Sequence, residues 1–286
     1  MPYDGFRTLT VRLGDGVARV TIDHPPFNLA DQQVAADLDR FSSAVRADED
    51  VRVIVLESAD PDFFLAHGDM SLALDPGLQD LLAQAGPDTP NPGQALHERF
   101  RTLPQVTIGK LAGRARGGGA EFLLALDMRF AATGRAWLGL PEVSLGMIPG
   151  GGGTQYLPRL TGRARALEIV LGSDGFDAEL AERYGWVNRA LPADELDGFV
   201  ERLALRIASY PPAAVAAAKA AVDAAHLPVP EGLLVENELI QRVFFTPETS
   251  RRVEAALAAG AQTREGELDL EGLLAGSREP VTPRAG

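Results

Sequence analysis

R-G-G-G-A-E-F, residues 116–122, places three consecutive glycines just ahead of a glutamate and an apolar run. Glycine loses more backbone freedom on folding than any other residue, so three together are expected only where the geometry excludes side chains. Glycines between a strand and a helix let the backbone approach a ligand closely, and the first N–H groups of the helix have no partner within it. Such a site binds a phosphate or a developing oxyanion.

The known glycine-rich phosphate motifs are not matched by this stretch. A Walker-type loop requires a following Gly-Lys-Ser/Thr, and the dinucleotide fingerprint requires G-x-G-x-x-G; neither is present. A purely structural explanation stays open at this point. The glycines could serve only tight strand–helix packing, with Glu121 complementing the helix dipole for about 0.3–1 kcal/mol.

A second glutamate, Glu142, lies in G-L-P-E-V, residues 139–143. Two carboxylates in one pocket can divide acid and base roles if their environments separate their pKa values. The residues alone do not bring Glu121 and Glu142 together.

The first part of the chain predicts strands joined by a helical crossover. Residues 8–13 and 17–22 alternate in polarity around a Gly-Asp-Gly turn and predict a hairpin. Apolar residues at helical spacing predict an amphipathic helix over 31–47. The mostly apolar stretch 51–58 is typical of a strand buried on both faces, so strand, helix and strand form a right-handed crossover.

The rest of the chain predicts further strands and then helices. Strands are expected at 106–113 and 128–132, with a short helix at 120–126 between them, whereas residues 75–93 are rich in proline and glycine and predict a surface excursion. Three regions result: an α/β core over 1–200, a helical segment over 201–262, and a charged, partly disordered tail over 263–286.

Composition excludes several classes of function. The 286-residue chain carries a net charge of −13 and has no cluster of Lys and Arg, which argues against nucleic-acid binding. It contains no cysteine, and its four histidines show no metal-ligand spacing, so no metal site is expected. No signal peptide or membrane span is recognisable, which predicts a cytoplasmic protein that does not enter a membrane.

Four segments together resemble the crotonase superfamily, specifically enoyl-CoA hydratases and isomerases. The resemblance extends over roughly residues 10–260, and the third segment matches the family signature almost without gaps. The segments are FFLAHGD (63–69), GRARGGGAEFLLALDMRFA (113–131), GLPEVSLGMIPGGGGTQYLPRLTGRARALEIVLGS (139–173) and DAELAERYGWVNRAL (177–191).

The resemblance implies an α/β fold, a crotonase-like spiral of ββα units with a C-terminal helical oligomerisation segment. It implies a homotrimer or a dimer of trimers that acts on an acyl-CoA thioester. Coenzyme A would then be part of the substrate, and no separate cofactor would be needed.

The resemblance also implies site residues by position. Gly68 and Gly118 would supply the backbone N–H groups of an oxyanion hole. Glu142 would act as the base that takes a proton from water, and Glu121 would orient that water. The residues expected to contact substrate are Ala66, His67, Asp69, Gly117, Pro141 and Gly150.

The sequence departs from the family pattern at several positions in and near the expected site. His67 replaces a glycine, Leu140 replaces a glutamine, and Ser71 stands where many relatives have a lysine. The expected activity is syn addition of water to a trans-2-enoyl-CoA, giving a 3-hydroxyacyl-CoA. The alternatives are a Δ3,Δ2-enoyl-CoA isomerase or another crotonase-type reaction, and an acyl-CoA-binding subunit with little catalysis.

Overall fold

The structure, a computed structural model, describes residues 3–77, 80 and 88–276. Across these residues no helix is long and apolar enough to cross a membrane.

Two sheets organise the described chain. Strands β1, β2, β3, β5, β7 and β10 form a six-stranded sheet in that order, and β4, β6, β8 and β9 form a smaller four-stranded sheet. The ten strands of the described residues are β1 Leu9–Gly14, β2 Val17–Ile22, β3 Val53–Ser58, β4 Phe63–Leu65, β5 Val106–Leu111, β6 Arg114–Arg116, β7 Met128–Ala132, β8 Trp137–Gly139, β9 Gly175–Asp177 and β10 Arg189–Leu191.

From β3 to β8, consecutive strands alternate between the two sheets, and this alternation produces the spiral. Strands β3, β5 and β7 enter the large sheet in parallel, while the strand that follows each of them, β4, β6 or β8, joins the small sheet. Each turn of the chain therefore adds one strand to each layer. The predicted class, a crotonase-like α/β spiral followed by C-terminal helices, is confirmed.

Helices cover the sheets and form the C-terminal third of the described chain. The α-helices with both ends among the described residues are α1 Gln32–Arg46, α2 Pro92–Arg101, α3 Gly118–Leu124, α4 Gly153–Thr161, α5 Arg163–Gly172, α6 Ala178–Tyr184, α7 Ala193–Ala208, α8 Pro212–Asp223, α9 Val229–Phe244, α10 Pro247–Ala258, α11 Arg264–Leu268 and α12 Leu270–Gly276. Short 3₁₀ helices lie at Met70–Leu74, Glu142–Leu145 and Ala224–His226.

Strand β3 is buried on both faces, as its apolar sequence predicts. Successive strand residues point to opposite sides. Val53 and Val55 accordingly pack in the apolar cluster beneath α7, while Ile54 and Leu56 pack in the larger cluster on the α1 side. The large sheet is thereby held between two apolar layers.

The expected domain boundary at residue 200 falls inside α7. Leu196, Val200 and Ala204 of this helix are buried against residues of the large sheet. The core layer therefore extends through Ala208, and the chain cannot be divided at residue 200.

The C-terminal tail is partly helical where the structure describes it. Thr263 caps α11 by accepting a hydrogen bond from the N–H of Gly266, and α12 follows. Residues 277–286 lie outside the described residues, so the partial disorder expected over 263–286 stays a prediction.

Candidate active site

A cavity of about 680 Å³ opens between α1, α2 and α3 and the loops that follow β4 and β8. Most of its wall is apolar, supplied by residues such as Leu38, Leu96 and Met147. Glu121 and Glu142 are both among the titratable residues that line it. A largely apolar cavity with a few convergent polar groups is the usual form of a small-molecule site.

Each of the three glycines ahead of Glu121 has its own geometric reason. Gly117 has a φ of +50°, in the region that side chains disfavour, and its Cβ would lie 2.9 Å from Oε1 of Glu142. A Cβ on Gly119 would lie 2.4 Å from the carbonyl oxygen of Leu65, so α3 presses directly against β4. The glycines therefore serve tight packing and, at Gly117, contact with a carboxylate.

Gly118 brings two loops together. A Cβ on Gly118 would lie 3.6 Å from the backbone nitrogen of Gly68, and both residues line the cavity. Neither N–H group has a hydrogen-bond partner within the described part of the chain. Two neighbouring unpaired N–H groups at a cavity wall are the donor set that an oxyanion requires.

Glu121 is fixed by backbone donors at the start of α4. Its side chain is only 3% exposed, and its Oε1 accepts hydrogen bonds of 2.8 Å from the N–H groups of Gly151 and Gly153. Burial raises the pKa of Glu121, while these two hydrogen bonds oppose the rise. The glycines at 150–153, which could be mistaken for a phosphate cradle, thus hold a carboxylate of the protein itself.

Glu142 is less constrained. It begins the 3₁₀ helix after β8 and is half-buried, and its Oε2 has no hydrogen-bond partner in the residues described. Burial, with a smaller contribution from the negative charge of Glu121, raises the pKa of Glu142 to about 7. A carboxyl group poised near neutral pH with a free oxygen is suited to general base catalysis.

Of the residues expected to contact substrate, five line the cavity and one does not. Those on the wall are His67, Asp69, Gly117, Pro141 and Gly150.

Ala66 is buried and does not line the cavity, and its N–H donates to the carbonyl of Asn28. His67 is half-buried, and its Nδ1 lies 2.9 Å from the carbonyl oxygen of Gly68. Asp69 caps the following 3₁₀ helix by accepting from the N–H of Ser71.

Sequence reasoning missed the contribution of α2. Asn91 donates from Nδ2 to the carbonyl of Gly150 at 2.8 Å, and His97 approaches the carbonyl of Gly151. Both contacts join residues more than 50 positions apart, and no local pattern indicates them. A capping box of Asn91 and Gln94 around Pro92 was the readable signal for the helix itself.

Comparison with known protein families and proteins identifies the family of this chain. The model of the enoyl-CoA hydratase/isomerase family matches residues 12–257. The Mycobacterium bovis protein echA8, provisionally named an enoyl-CoA hydratase, is 30% identical over 252 residues, covering 87% of this chain and 95% of its own.

Solved structures agree in fold as well. A Streptomyces avermitilis structure, provisionally described as an enoyl-CoA hydratase, is 48% identical with a TM-score of 0.73, covering 96% of this chain and 99% of its own. The enoyl-CoA hydratase of Bacillus anthracis is 29% identical with a TM-score of 0.79, covering 87% and 95%. The crotonase resemblance is confirmed, and the chain belongs to the enoyl-CoA hydratase/isomerase family.

Proposed function

We propose that this protein is an enoyl-CoA hydratase, which adds water syn to a trans-2-enoyl-CoA and gives a 3-hydroxyacyl-CoA. One observation carries the proposal: two glutamates and two unpaired backbone N–H groups converge on one largely apolar cavity. Membership of the enoyl-CoA hydratase/isomerase family supports an acyl-CoA thioester as the substrate.

The first step builds negative charge on the thioester oxygen. Water attacks C3 of the enoyl group, and electrons move through the conjugated double bond onto the carbonyl oxygen. The N–H groups of Gly68 and Gly118 stabilise the resulting enolate. One well-placed oxyanion donor is worth about 2.7–4 kcal/mol of transition-state stabilisation.

The two glutamates divide the proton transfers. Glu142, with its free Oε2, takes a proton from the attacking water. Glu121, whose Oε1 is already bonded, orients the water through its remaining oxygen. A proton from this pair reaches C2, which completes the addition without any net change in protonation.

An isomerase is the second candidate. A shift of the double bond needs one base that removes and returns a proton, and Glu142, whose Oε2 has no hydrogen-bond partner in the described residues, could serve as that base. The same oxyanion donors would stabilise the same type of enolate. The presence of Glu121 at the cavity favours the hydratase, because a water molecule requires a second polar anchor.

Assays with trans-2-enoyl-CoAs and 3-enoyl-CoAs distinguish a hydratase, an isomerase and a binding subunit. We expect purified protein to consume short- and medium-chain trans-2-enoyl-CoAs, measured as loss of the conjugated enoyl-thioester absorbance. Incubation with 3-enoyl-CoAs should produce little of that absorbance. Rapid gain of absorbance from 3-enoyl-CoAs would favour the isomerase, and tight binding of acyl-CoA without turnover at any chain length would favour a binding subunit.

The pH dependence of turnover follows from the carboxyl group of Glu142. A base must be ionised, and because the pKa of Glu142 lies at about 7, its ionised fraction grows about tenfold between pH 6 and pH 8. We therefore expect kcat/KM to rise as the pH increases from 6 to 8. A profile that is flat over this range would contradict the assignment of Glu142 as the base.

We also propose assembly through the C-terminal helices, as a trimer or a dimer of trimers. Large apolar side chains are exposed on α9 and in the turn after it, including Val229, Leu234 and Phe245. Exposed apolar patches of this kind commonly mark protein interfaces.

A further inference from the structure

His97 lies beside the catalytic machinery without belonging to the expected set of site residues. It lies in the middle of α2 and is only 7% exposed. Its ring lines the same cavity as Glu121. The ring centroid is 5.7 Å from that of Phe122, the residue directly after Glu121. The sequence around His97 gives no hint of this placement.

One hydrogen bond fixes the protonation pattern of the imidazole. Nδ1 of His97 lies 2.6 Å from the carbonyl oxygen of Gly151. A carbonyl oxygen only accepts, so Nδ1 carries the hydrogen. Burial lowers the pKa of His97, which keeps the ring neutral at neutral pH. The side chain therefore acts as a neutral donor to the backbone.

Gly151 links this donor to the carboxylate. Its N–H donates to Oε1 of Glu121 at 2.8 Å, while its carbonyl accepts from His97. A Cβ on Gly151 would lie 2.8 Å from Cε1 of His97 and 3.0 Å from Oε2 of Glu121. Gly151 is thus enclosed between the imidazole and the carboxylate, and each holds one of its polar groups.

We propose that His97 is a positioning residue of the active site: its Nδ1–H anchors the carbonyl of Gly151 and so keeps the N–H groups of the 151–153 turn directed at Glu121. The inference rests on the proposed hydratase function only for its catalytic consequence. If the anchor is lost, the turn moves, and Glu121 loses a donor that fixes its Oε1. The other carboxylate oxygen then no longer points reproducibly at the water.

The neighbouring charges leave His97 free for this role. Glu98, next to it on α2, is engaged by Arg101 and by the hydroxyl of Tyr156. The acidic groups that face the ring region are therefore Glu98, already paired, and Glu121, reached through Gly151. The neutral imidazole is therefore sufficient to explain the hydrogen bond from His97 to the carbonyl of Gly151.

The test compares two variants of nearly equal shape, His97→Asn and His97→Leu. Both lose the ring, and only Asn retains an N–H donor close to the position of Nδ1. We expect kcat with a trans-2-enoyl-CoA to fall about tenfold or more in His97→Leu and to recover at least partly in His97→Asn, with KM changed less than kcat. His97→Phe also lacks the N–H donor but keeps a ring, so its kcat should fall as in His97→Leu.

A second readout does not depend on turnover. ¹³C NMR of protein labelled at glutamate carboxyl carbons, with the Glu121 signal assigned by its loss in Glu121→Gln, follows the titration of this group. Since the hydrogen bond from Gly151 opposes the rise that burial causes in the pKa of Glu121, we expect the titration midpoint to move further upward in His97→Leu and to return towards wild type in His97→Asn.

The outcomes distinguish the two proposals. Wild-type protein without hydratase turnover, but with the expected NMR shifts, would overturn the proposed function and leave the positioning role supported. Equal kcat and equal Glu121 titration in the Asn and Leu variants would overturn the positioning role, because the N–H donor would then have no effect. Lower stability alone, with kcat and titration unchanged, would mean that His97 serves only packing.

Discussion

Replacement of Glu142 by glutamine should lower kcat by about 10²–10⁴-fold, the usual contribution of a positioned acid/base group. Glutamine keeps the size of the side chain, so the cavity and the 3₁₀ helix at Glu142–Leu145 should persist. It cannot take a proton from water at neutral pH, however. The measurement is the loss of enoyl-thioester absorbance at saturating substrate, wild type beside Glu142→Gln.

Two controls show whether such a loss is chemical. Glu168→Gln changes an exposed glutamate on α5 that bonds the hydroxyl of Tyr184, and its kcat should match wild type. Binding of a 3-hydroxyacyl-CoA should be similar in Glu142→Gln and wild type, because the proposed oxyanion donors are backbone groups. A Glu142→Gln enzyme that keeps kcat within threefold would exclude Glu142 as the base.

The second large effect concerns the fold at the last of the three glycines. Gly119→Ala would place a Cβ 2.4 Å from the carbonyl oxygen of Leu65 and 2.7 Å from its Cβ. The backbone of β4 or α3 must shift to relieve this contact, and overpacking of this kind costs about 1–3 kcal/mol of unfolding free energy. The shift also separates Gly68 from Gly118, so activity should fall together with stability.

Urea denaturation measures the expected loss of unfolding free energy in Gly119→Ala, with Gly172→Ala as the matched control. Gly172 ends α5, and a Cβ there would meet nothing within 4 Å. Alanine is also the better helix former, so this variant should be as stable as wild type or slightly more so. Identical unfolding midpoints for Gly119→Ala and wild type would mean that the contact with Leu65 is not a constraint.

The elements that sequence predicts well are those whose signals are local. The hairpin at 8–22 carries alternating polarity around a turn, and β1 and β2 pair there as expected. Asp177 and Thr246 cap their helices with side-chain hydrogen bonds, which aspartate and threonine commonly provide at the N-cap position. These features depend on neighbours within a few residues, and a single sequence contains that information.

The small sheet was missed because its strands are too short to show a period. β4, β6, β8 and β9 have three residues each, and alternation cannot be recognised over such a length. Helix α2 was missed for a different reason: its capping box follows a proline-rich stretch that reads as loop.

Some residues of the candidate site could likewise be proposed from the sequence, and others could not. Glu121, Glu142 and the glycines could be proposed from the sequence because a family resemblance supplied their spatial relation. His97 could not, because its partner Gly151 is 54 residues away and the contact is made through a carbonyl that any residue possesses. A glycine at position 151 does not indicate which distant side chain bonds its carbonyl oxygen.

The backbone donors of Glu121 have a consequence for synthesis of the chain. They lie 30 and 32 residues after the glutamate, so both must leave the ribosome before the carboxylate can find its partners. Chains are made from the N-terminus at about 5–20 residues per second. For at least that interval Glu121 lacks both donors, and burial of its charged carboxylate without partners is unfavourable. We therefore expect complete packing of this turn of the spiral to follow synthesis of the next turn.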